Sequence, residues 1–136
     1  MAAGCGGGDD SEPDPFATDY NAAIRRLADV NQDLAALDVS ARSSRAIARE
    51  FDQFGAALES TRGELAALEP PARAAAAFEA LLASLDEAVA ASGRAAEAAR
   101  AIQPARQRRA LRELRAATGE IDRAQDALGR AVARTG

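Results

Sequence analysis

Apolar and polar positions recur along this chain with the period of an α-helix from Pro15 onward. Phe16, Tyr20, Ala23, Leu27, Val30, Leu34 and Leu37 follow one another at alternating steps of four and three, so they share one stripe of a helix. Asp19, Arg25, Arg26, Asp29 and Asp33 fall outside that stripe. Asp38-Val39-Ser40 interrupts the pattern and offers Ser40 as a cap. It then resumes at Ser44, Ile47, Phe51, Phe54, Leu58, Thr61, Leu65 and Leu68. A third stripe takes Phe78, Leu81, Leu85, Ala88, Ser92, Ala95 and Ala99, widened by Leu82 and Val89. A fourth takes Leu111, Leu114, Thr118, Ile121, Gln125, Leu128 and Val132.

Prolines punctuate the stripes. Asp14-Pro15 supplies a cap and a first helical residue. Glu69-Pro70-Pro71 removes two backbone donors, and Gln103-Pro104 breaks the pattern again. Helices are therefore predicted over about 15–37, 41–68, 72–101 and 105–133. Four stripes of similar length joined by short turns predict an all-α fold, an antiparallel up-down-up-down four-helix bundle over residues 14–136. The alternative keeps 72–134 as one helix kinked at Pro104 and pairs its arms between chains; the short turns favour a monomer. Matching helices about their turns places Leu27 level with Phe54, Leu85 and Ile121. The same matching puts Tyr20 level with Thr61, Phe78 and Leu128, and Phe51 level with Val30, Val89 and Thr118.

Composition narrows the chemistry. At 136 residues the chain suits one domain, and its core must come from alanine and aliphatic side chains, since it has four Phe, one Tyr and no Trp. It lacks His, and its one Met is Met1. No Asp or Glu occupies a stripe, so neither a haem nor a di-metal carboxylate site inside the bundle is supported. A serine nucleophile would lack a base, and no phosphate-binding glycine pattern follows a strand. Asp86-Glu87 and Asp122 with Asp126 read as surface acids. Thr61, Ser92, Thr118 and Gln125 would line a small polar pocket, or bond the backbone of their own helices with Gln125 at a solvated edge. These features point to a protein that is not an enzyme and takes no cofactor or metal. A net charge of −4 argues against a general nucleic-acid binder.

The single cysteine stands in Ala2-Ala3-Gly4-Cys5, followed by Gly6-Gly7-Gly8-Asp9-Asp10. This resembles the lipobox of bacterial lipoproteins, with Ala2 in the usual leucine place. The resemblance implies that residues 1–4 are the remnant of a signal peptide and that Cys5 carries a lipid. Residues 5–13 would then be an acidic, glycine-rich linker without fixed structure. The implied location is the outer face of the bacterial cytoplasmic membrane; the alternative, with an incidental cysteine, is cytoplasmic. All 17 basic residues are arginine, and the chain resembles the small Ala/Arg-rich exported helical proteins of high-GC bacteria, including its Leu-Glu-Pro-Pro-Ala-Arg junction at 68–73. That likeness implies no activity.

One charge pattern remains. An antiparallel bundle puts the turns at 38–43 and 101–106 at one end, gathering Arg42, Arg45, Arg49, Arg100, Arg106, Arg108, Arg109 and Arg112 there. Such a tip is a candidate anion site, or a solvated surface partly neutralised by Asp38, Glu50 and Glu113. The function expected is therefore a lipid-anchored, non-enzymatic binding or scaffolding domain facing a cell-envelope protein or a polyanion. The alternatives are a soluble helical coiled-coil oligomer and a small-molecule carrier with a cavity along the alanines of the third helix.

Overall fold

The computed structural model describes residues 15–37 and 43–133. They form an all-α four-helix bundle: α1 (Pro15–Ala36), α2 (Ser44–Ala66), α3 (Ala75–Arg100) and α4 (Pro104–Ala133), with a 3₁₀ turn at Ala72–Ala74 leading into α3. Asp14 and Ser40, expected as caps, lie outside the described residues. The cap of α2 is Ser43 instead, with φ −69° and ψ 157°, and its side chain accepts a hydrogen bond from the Ala46 N–H at 3.2 Å. The helix thus begins three residues beyond the expected 41. Pro104 opens α4, where its missing N–H costs nothing, and Gln107 N–H closes the first turn onto the Gln103 carbonyl at 2.9 Å.

The chain reverses between α3 and α4 rather than kinking. Ile102 N–H donates to Ala99 O at 3.1 Å and Gln103 N–H to Ala98 O at 3.0 Å, the paired bonds of a Schellman ending. The residue that turns the chain is normally glycine. Here it is Ile102, at φ 53°, a left-handed conformation that costs a β-branched residue about 1–2 kcal/mol.

The stripes predicted for α1, α2 and α3 face the core. In α3 every stripe member is buried, together with Leu82, Ala91, Ala96 and Ala98, because this helix packs on both α2 and α4. The α4 stripe is rotated from expectation. Its buried line is Ala110, Leu114, Ala117, Ile121, Ala124, Leu128 and Ala131, while Leu111, Thr118, Gln125 and Val132 flank it half-buried. Alanine explains the difference: it is small enough to sit at the centre of the α3–α4 seam, the most extensive in the bundle, and leaves larger side chains to close the edges.

Axial register differs too. Leu34 and Phe54 line one groove between α1 and α2, and seven residues back along α1 is Leu27, seven forward along the antiparallel α2 is Thr61. Arg26 agrees, pairing with Glu64 at 2.9 Å. Across α2 and α3, Gly55 faces Ser92, and Arg62 binds Asp86 at 3.0 and 3.3 Å. Thr61, not Phe54, is therefore level with Leu27, and Phe51 stands near the level of Ala96 rather than Val89. Leu85 stays level with Ile121, as the Arg94–Glu113 pair at 3.1 Å requires. The ring against Phe78 is Phe16, edge to face at a centroid distance of 5.7 Å, with Tyr20 stacked on Phe16 at 5.6 Å.

Candidate functional site

The displacement of α2 shapes the end where arginines gather. Leu37, the last described residue after α1, shares a groove with Glu50, so the first two turns of α2 reach past the end of α1. Arg45 and Arg49 lie on that extension. Arg100 ends α3, and its Nη1 binds Asp52 Oδ2 at 2.8 Å, tying the end of α3 to the early turns of α2. Arg106, Arg108, Arg109 and Arg112 follow on the first turns of α4, all exposed. Arg42 lies outside the described residues, as does Cys5.

Pairing divides this group. Arg100 is held by Asp52 and Arg106 donates to the side chain of Gln103. Arg45, Arg49, Arg108, Arg109 and Arg112 have no carboxylate partner among the described residues. Glu113, expected to offset them, is engaged by Arg94. The segments 44–52, 94–100 and 104–115 that build this end carry nine arginines and four carboxylates, whereas the remaining described residues carry six and twelve. Two helix starts and two helix ends meet here, so the helix dipoles largely cancel and the positive field is that of the side chains.

The polar residues of the core bond within their own helices. Ser92 Oγ donates to Ala88 O at 2.9 Å and Thr118 Oγ1 to Arg115 O at 2.8 Å. Ser92 lies against Gly55 rather than Thr61, so the suggested polar pocket is not assembled. Asn31 Oδ1 is buried without a partner in a 170 Å³ cleft between α1 and α4, where the bundle is most thinly packed. A shallow groove of 490 Å³ on the outer side of the α3–α4 seam is lined by Ala83, Ala91, Ala116 and Ala117 with Glu87, Arg94, Glu113 and Arg123.

Burial pushes the Tyr20 phenol from its ordinary 10.0 up to about 12, which keeps it neutral and makes it a poor base at neutral pH. Among the described residues no three metal-ligating side chains come together, and no helix is long and apolar enough to cross a membrane. Periodicity drew attention to the arginines, but Ile102 was missed: only its exposure of 72% and its left-handed backbone single it out. In comparisons with protein-family models, curated proteins and solved structures, nothing matches the chain.

Proposed function

We propose that this chain is a non-enzymatic binding domain that presents the arginine-rich end of its bundle to a polyanionic partner. The observation that carries this reading is the segregation of charge. Among the described residues nine arginines face four carboxylates at one end, only Arg94 and Arg100 of the nine are paired with a carboxylate, and acids dominate elsewhere. Exposed arginines are adaptable donors to phosphate and carboxylate, and clustering them raises the local concentration of a polyanion without any enclosed pocket.

The lipobox resemblance supports, as part of this proposal, anchoring of the domain to a membrane through a lipid on Cys5. The 22 residues of α1 span about 33 Å, and the early turns of α2 add roughly 10 Å beyond them. The positive end thus lies about 40 Å along the bundle from Pro15.

The test is binding of inorganic polyphosphate to the full chain over a salt series. Affinity should fall as salt rises, since exposed charges are screened beyond about 10 Å at 0.1 M. Replacing Arg106, Arg108, Arg109 and Arg112 together by Gln should abolish binding and leave the helical circular dichroism unchanged. Equal binding by that variant, or no binding by the parent at low salt, refutes the proposal.

A further inference from the structure

Ile102 has no structural reason to be where it is. The turn between α3 and α4 needs a left-handed residue, which glycine supplies without steric cost, yet the chain places a β-branched side chain there. That side chain packs on nothing that would repay the strain, being 72% exposed and the one large hydrophobic side chain so exposed among the described residues. Its neighbours are the arginines: Arg100 two residues before it, Arg106 four after it, with Arg109 on the next turn of α4.

An exposed apolar side chain with Arg100, Arg106 and Arg109 close by in sequence matches one kind of surface in particular. At the edge of an anionic bilayer, phosphates meet the guanidinium groups while the apolar side chain enters the acyl boundary, and the arginine stems bury alongside it. A dissolved polyphosphate would use the arginines and leave Ile102 idle. We infer that the arginine-rich end docks on an anionic lipid surface, with Ile102 as the residue that enters it. This rests on the reading of that end as an anion-binding surface and adds to it the identity of the partner.

The experiment uses the full chain carrying Cys5→Ala, so that no acyl group contributes. Three probes are compared: vesicles of phosphatidylcholine alone, vesicles containing phosphatidylglycerol, and inorganic polyphosphate. The chain should co-sediment with the phosphatidylglycerol vesicles and not with phosphatidylcholine alone. Ile102→Gly should lower partitioning onto the anionic vesicles by about ten- to thirty-fold, the worth of one buried isoleucine side chain, while leaving polyphosphate affinity unchanged. Its unfolding midpoint in urea should not fall, which separates a lost contact from a lost fold. The fourfold Arg-to-Gln variant should lose both ligands. Polyphosphate binding without vesicle binding overturns the lipid inference and leaves the anion-binding surface standing. Equal vesicle binding by parent and Ile102→Gly also overturns it, and binding to neither ligand removes both readings.

Discussion

Adding one methyl group at Gly55 tests the packing of α2 on α3 most sharply. Gly55 is buried in the middle of α2, and an ideal Cβ built there meets Ser92 Cβ at 3.2 Å. Comfortable carbon–carbon contact needs about 3.5–4.0 Å, so the two helices must part by a few tenths of an ångström. Gly63 in the same helix is the control, because a Cβ there meets nothing within 4 Å. Both substitutions to Ala gain helix propensity, worth about 0.8–1 kcal/mol in a helix interior. At Gly63 that gain stands alone, and Gly63→Ala should stabilise by about 0.5–1 kcal/mol. At Gly55 overpacking costs about 1–3 kcal/mol, so the net effect should run from neutral to about 2 kcal/mol destabilising. Urea unfolding followed by far-ultraviolet circular dichroism reads both values on one baseline. In the double variant Gly55→Ala with Ser92→Gly the crowding partner is gone, and the pair should show a favourable coupling of about 1 kcal/mol. Equal stabilisation by Gly55→Ala and Gly63→Ala, with no coupling to Ser92, would mean that residues 55 and 92 do not face each other.

Other consequences follow from single residues. Leu27 and Leu85 are both fully buried, so Leu27→Ala and Leu85→Ala should each lower the unfolding free energy by about 2–5 kcal/mol, and a loss under about 1 kcal/mol at either contradicts its place in the core. Ile102→Gly should raise stability by about 1 kcal/mol, because it removes left-handed strain and forfeits no burial; a loss of similar size would show that Ile102 packs on the bundle. Tyr20 is neutral in the folded chain up to about pH 12 and ionises near 10 when unfolded. Its contribution to stability is thus complete below pH 10 and lost as pH rises from there toward 12. Ultraviolet titration of this single tyrosine should give a raised midpoint, and Tyr20→Phe should flatten the fall in urea stability over that window.

The sequence pattern carried the helix count and class, the wide buried face of α3, and the reversal at Pro104, because large apolar residues and proline act through local geometry. It did not carry the axial place of α2. A heptad pattern looks the same after a slide of one heptad, so Phe54 and Thr61 are equally good partners for Leu27 by periodicity alone. Small-residue contacts such as Gly55 against Ser92 break the tie, and they show only in three dimensions. The face of α4 was misread for a related reason. Leu111 and Val132 attract a stripe by hydrophobicity, whereas Ala110, Ala117, Ala124 and Ala131 win the centre by size. At the candidate site, chain topology alone brought the arginines to one end. The partners that divide them, Asp52 for Arg100 and Glu113 for Arg94, depend on side-chain reach. Ile102 was invisible because no glycine announced the left-handed turn it occupies.

Whether anions are drawn to one end of this bundle is read most directly from the arginines themselves. In a ¹⁵N spectrum of the full chain, titration with inorganic polyphosphate at low salt should shift the side-chain Nε–H signals of Arg45, Arg49, Arg108, Arg109 and Arg112 together. Those of Arg25, Arg26, Arg73, Arg123 and Arg130, away from that end, should stay in place. Shifts spread evenly over both sets, or confined to the second, would contradict the account.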